Sequence, residues 1–75
     1  MIALTRSARA RKRKALEARV RDWLLAHPYS TFGQIMDGTG LNGFRAQAAL
    51  FRLIRQSRAD YTINTRHLHV YRATD

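Results

Sequence analysis

Arginine is the residue type with the most chemistry to offer in this sequence. Its planar guanidinium forks onto phosphate oxygens and onto guanine edges, which a lysine ammonium cannot imitate. Twelve Arg and two Lys stand against five Asp+Glu, for a formal charge of +9 over 75 residues. They are unevenly placed. Arg6, Arg9, Arg11, Lys12, Arg13, Lys14, Arg19 and Arg21 crowd the first 21 positions, with Glu17 the only acid among them. A positive balance of this size in a small chain favours a polyanionic partner. A solvated basic surface, a ribosomal role or a membrane-surface role would carry the same number, so charge fixes a class of partner and no more.

The other reactive types are sparse. There is no cysteine, hence no disulfide framework, thiolate nucleophile or Cys-type zinc site. His67 and His69 are spaced to share a strand face, but zinc takes about four ligands and no carboxylate is placed beside them. They read as surface or nucleic-acid-proximal histidines, and no metal is expected. No Gly-rich phosphate loop with a Lys occurs and no carboxylates cluster; Asp37-Gly38-Thr39-Gly40 is turn chemistry. The expectation is therefore a protein that is not an enzyme, with no cofactor and no small-molecule ligand. No stretch approaches the roughly 20 apolar residues of a membrane span, and the basic N-terminus lacks the apolar run of a secretory signal. A cytoplasmic, nucleoid-associated location is expected, with no membrane contact.

The elements that must position these residues follow from periodicity. Residues 1–10 read as a basic arm, frayed when free or else extending the first helix, and residues 11–75 as one domain. A chain of this length buries only about 60% of the surface its unfolded form exposes. Leu16, Val20, Trp23, Leu24 and Ala26 predict a first helix over 11–26, with Arg13, Glu17 and Arg21 on its outer face. His27-Pro28 stops it. Ser30 or Thr31 caps a second helix over about 31–37, with Gln34 as capping-box partner, and Gly38-Thr39-Gly40 ends it. Asn42 caps a third helix over 43 to 56 or 57. Its inward stripe is Ala46, Ala49, Leu50, Leu53 and Ile54; Phe44, Arg45, Ala48, Phe51, Arg52 and Arg55 lie outward. Past Arg58 the period changes from 3.6 to 2. Tyr61, Ile63, Leu68 and Val70 alternate with Thr62, Asn64, His67 and His69, and Asn64-Thr65-Arg66 is the turn of a two-stranded hairpin. The fold class is mainly α with a small β-hairpin.

This order resembles the winged helix-turn-helix families of bacterial, phage and plasmid DNA-binding proteins. The stretch Ser30-Thr31-Phe32-Gly33-Gln34-Ile35-Met36-Asp37-Gly38-Thr39-Gly40-Leu41-Asn42 is similar to their polar cap, apolar residue four later, and Thr-Gly-Leu-Ser/Asn before the recognition helix. Leu50, Leu53 and Ile54 match the closing Leu-x-x-Leu, and Tyr61 to Tyr71 matches the wing. The likeness covers about 11–72. It departs at the junction to the wing, where the families often have Gly and this chain has Ser57-Arg58-Ala59, and at a short, Gly-free wing tip.

Such a helix fits the DNA major groove, and the residues at its N-terminal end read base edges. Asn42, Phe44, Arg45, Gln47 and Ala48 sit there. Arg45 would fork to guanine and Gln47 to adenine, with Ala48 or Phe44 against a thymine methyl; a plain solvated helix face is the alternative. The DNA backbone would meet Arg6, Arg9, Arg11, Lys12, Arg13, Lys14, Thr31, Arg52 and Arg66, and the amides opening helices two and three. Phe44 and Phe51 are either half-buried against the wing or arm, or a dimer contact. The expected function is a small transcriptional regulator, a repressor acting as a homodimer on double-stranded DNA. The alternatives are an architectural, excisionase-like DNA binder and a winged-helix module for RNA or a host protein.

Overall fold

The computed structural model describes residues 2–74, with side chains from residue 8 onward. In chain order the elements are α1 (Ile2–Ala26), β1 (Ser30–Thr31), α2 (Phe32–Thr39), α3 (Gly43–Arg55), β2 (Ala59–Ile63) and β3 (His69–Ala73). Three helices stand beside one antiparallel sheet of strand order β1-β3-β2. The class is α+β and mainly helical.

α1 is longer than its apolar pattern. It starts at Ile2 and runs through position 10 without a break, so of the two readings of the first ten residues the helical extension is the one that forms. Ala, Arg and Lys have strong helix propensity, and no Gly or Pro interrupts them. Val20 and Leu24 are buried, with Leu16 and Trp23 packed at the margin of the same cluster. The helix ends where Pro28 and Tyr29, at φ 61°, turn the chain.

Thr31 and Gln34 close the capping box of α2: Gln34 N donates to Thr31 Oγ1 at 3.2 Å, and Thr31 N donates to Gln34 Oε1 at 2.9 Å. Termination differs from expectation. Only Gly40, at φ 73°, is the left-handed cap. Gly38 lies within the helix for a packing reason, since a Cβ there would stand 2.4 Å from three Trp23 ring atoms. The indole stacks on His27 at 3.7 Å; its Nε1 is buried, with no hydrogen-bond partner among the described residues.

α3 is capped by Asn42, whose Oδ1 accepts from Arg45 N at 2.9 Å. Ala46, Ala49, Leu50 and Leu53 are buried as the stripe required, with Ile54 at the edge. Fully burying a side chain such as Leu50 contributes about 1.5–3 kcal/mol. At its end Ser57 takes φ 58°, with Ser57 N donating to Ile54 O and Arg58 N to Leu53 O. That is a Schellman motif, with serine where glycine costs least.

The sheet has one strand more than the predicted hairpin. β1 pairs Ser30 with Tyr71 and Thr31 with Val70; two residues are too few to show a period in sequence. The hairpin also has a different phase. Tyr61 pairs with Tyr71 and Ile63 with His69, while Val70 pairs with Thr62. Val70 is thus on the opposite face from Tyr61 and Ile63, not the same one. Asn64 N donates to Leu68 O at 2.9 Å, closing a five-residue loop. His67 occupies its left-handed position at φ 63°. It is in the turn, so the strand face it was expected to share with His69 does not form.

Glu17 is the largest correction to the helix faces. Predicted outward, it is buried, accepting from Arg52 Nε at 2.9 Å and from Gln56 Nε2 at 3.1 Å. Two donors from the last turns of α3 compensate its desolvation, so the carboxylate ties α1 to α3.

Candidate nucleic-acid interface

The candidate interface centres on the outward side of α3. With the buried stripe on one side, 100° per residue places Phe44, Ala48, Phe51 and Arg55 directly opposite, Arg45 and Arg52 on one flank and Gln47 on the other. Phe44 is 89% exposed, and Arg45, Gln47 and Arg55 are exposed. Phe44 is thus not half-buried against hairpin or arm, and Phe51 is also exposed, at 49%. Ala48 is half-buried. Asn42 is exposed, but its carboxamide oxygen is committed to the cap, which leaves only Nδ2 as a donor for a base.

The expected phosphate contacts divide three ways. Arg9, Arg11, Lys12, Arg13 and Lys14 are all exposed along α1, and Arg66 is exposed in the hairpin loop, its amide donating to Asn64 Oδ1 at 2.8 Å. Arg6 lies on α1, but its side chain is outside the described residues. Two residues are already engaged. Arg52 is neutralised by Glu17, so it does not present the free charge expected of it. Thr31 is half-buried, and its hydroxyl oxygen takes the Gln34 amide. The caps likewise occupy the amides of Gln34 and Arg45 that a phosphate was expected to reach.

Among the described residues Arg45, Arg55 and Arg66 have no acidic partner. Arg55 was placed outward by its helical position but not assigned a role. Arg19 Nη1 reaches Thr39 O at 3.4 Å, joining α1 to the end of α2.

The hairpin's other face carries a second ion pair that no local pattern announces. Arg72 forks to Asp60, Nε to Oδ1 at 2.9 Å and Nη2 to Oδ2 at 3.3 Å, while Nη1 meets the Tyr29 hydroxyl at 3.4 Å. The bond from Arg72 holds the Asp60 carboxyl below its usual range, and the same bond raises Arg72. Burial, then the neighbouring Tyr61, pushes the Tyr71 hydroxyl up. Asp60 and Glu17 are thus both used internally.

No group of three or more metal-ligating side chains occurs among the described residues, and none of their helices is long and apolar enough to cross a membrane. The chain matches no protein-family model, no curated protein and no solved structure.

Proposed function

We propose that the chain is a winged helix that binds double-stranded DNA, with the first turns of α3 in the major groove and cations of α1 and the hairpin loop on phosphates. The order α1-β1-α2-α3-β2-β3 and the strand order β1-β3-β2 fit that fold topologically. The observation that carries the reading is Arg45: exposed, without an acidic partner among the described residues, one turn into a capped helix on a chain of charge +9. An arginine so placed can fork to a guanine edge, and Gln47 on the opposite flank of the helix can pair with adenine. A protein bound across a site in this way excludes other proteins from it, which makes repression in the nucleoid the role proposed.

The test is selection of bound fragments from a random duplex pool, followed by competition between the enriched sequence and random DNA at several salt concentrations. A specific site binds about 10³–10⁷-fold tighter than random DNA, and a palindrome among the enriched fragments would place two copies on one site. Enrichment of no sequence, with equal affinity for all duplexes, would replace base reading by architectural binding. Absence of any duplex binding would end the proposal.

A further inference from the structure

We propose that the face between α3 and the hairpin holds unpaired nucleobases, stacked on Phe51 and its neighbouring aromatic rings. The proposal rests on the nucleic-acid reading above and adds to it the state of the strand being gripped.

Two adjacent clefts flank Phe51. One, of about 290 Å³, is lined by Phe32, Gln47, Leu50, Phe51 and Tyr71. The other, of about 240 Å³, is lined by Phe51, Ile54, Tyr61, His69 and Tyr71. Their volumes lie at or just below the low end of the roughly 300–1,000 Å³ of small-molecule sites, room enough for flat rings. Phe51 and Tyr71 belong to both, so the two clefts are successive positions along one surface. The rings are already set at angles to each other: Tyr61 and Tyr71 lie 6.1 Å apart, and Tyr61 and His69 5.3 Å apart. Phe51 and Tyr61 remain 49% and 54% exposed, and Phe44 carries the same aromatic face on along α3 at 89%.

Contiguous exposed apolar surface marks interaction sites, and charge selects the occupant. Arg55 is one helical turn beyond Phe51, Arg45 adjoins Phe44, and Arg66 stands in the hairpin loop. None of the three has an acidic partner among the described residues. A second copy of this chain would bring +9 against +9. A strand with unstacked bases brings phosphates to the arginines and ring faces to the aromatics, the pairing that single-stranded nucleic-acid binders use. Within the clefts, Gln47 offers a donor and an acceptor for a base edge.

The experiment measures fluorescence anisotropy of three labelled oligonucleotides with the full chain at one salt concentration: a duplex, the same duplex with a central mismatched bubble, and its single strand. Phe51→Ala and Tyr61→Ala are run in parallel, with circular dichroism to show that they fold; both side chains are about half exposed, so the core is spared. The proposal expects bubble and single strand to bind more tightly than the duplex. It expects each substitution to weaken those two by roughly 5- to 150-fold while duplex affinity stays nearly constant. Duplex affinity equal to that of the bubble, with both variants acting alike on all three probes, overturns the proposal and leaves the DNA reading standing. No binding to any probe overturns both. Self-association in sedimentation that Phe51→Ala abolishes, with affinity for every probe unchanged, would assign the face to a second copy instead.

Discussion

At the scale of single residues, the fold uses charged groups for holding itself together, the Glu17–Arg52 pair above all. Glu17 is buried and accepts from Arg52 and Gln56, so Glu17→Ala leaves the half-buried Arg52 guanidinium without its counter-charge. Removing one partner of a fully buried pair costs about 3–5 kcal/mol; Arg52 keeps some solvent access, so the loss here should be about 1–3 kcal/mol, still a large part of what so small a domain has. Urea titration should show that loss in Glu17→Ala; a midpoint equal to the parent would mean the pair contributes nothing. Gly38 is a second case, where two effects oppose. Alanine gains about 1 kcal/mol of helix propensity over glycine, but its Cβ would meet the Trp23 ring at 2.4 Å, and overpacking costs about 1–3 kcal/mol. Three ring atoms of a large side chain cannot shift cheaply, so packing wins. Gly38→Ala should lower the melting temperature and shift Trp23 fluorescence, whereas the same substitution in a Trp23→Leu background should raise it relative to that background.

Among the elements, what sequence reveals is what is local. The caps at Thr31 and Asn42, the stop at Pro28, the left-handed Gly40 and the inward stripe of α3 each depend on residues within a turn or two, and all are present. The outward placement of Phe44, Arg45 and Arg55 follows from the same wheel. Features set by distant partners were not legible. Glu17 meets Arg52 35 positions away, Gly38 answers to Trp23, and the hairpin phase depends on a loop closed between Asn64 and Leu68. The free charge expected of Arg52 failed for the first of these reasons. Ser57 shows a local rule obeyed by an unexpected residue. The left-handed conformation costs a non-glycine residue about 1–2 kcal/mol, and glycine returns roughly 0.5–1 kcal/mol of that through its greater freedom when unfolded. Ser57→Gly should therefore stabilise by about 0.5–1 kcal/mol, raising the melting temperature by several degrees. A lower melting temperature would show that the serine side chain makes an interaction the backbone geometry does not reveal.

Over the whole molecule, the basic half of α1 stands apart from Arg45 in the first turn of α3. α1 touches the last turns of α3 at Glu17, so its basic half leaves the core there, at the far end of α3 from Arg45. The 13 residues of α3 put about 20 Å between those ends, and the molecule is 50 Å long against 22 × 19 Å across. In the proposed complex, base reading and the main phosphate grip would therefore act on different stretches of DNA. Changing Arg9, Arg11, Lys12, Arg13 and Lys14 together to Gln should leave melting unchanged. It should weaken preferred and random duplexes alike, and flatten the slope of log affinity against log salt by about 0.9 for each phosphate no longer neutralised. An unchanged slope would reduce that half of α1 to a solvated helix. The most direct measurement of the central claim is the affinity of Arg45→Ala for the selected duplex and for random DNA, beside Arg66→Ala. Arg45→Ala should lose about 1–3 kcal/mol on the selected duplex and relax its preference at one base pair; Arg66→Ala should weaken both duplexes equally. Arg45→Ala that folds normally yet keeps full affinity and full preference would contradict the placement of α3 in the groove.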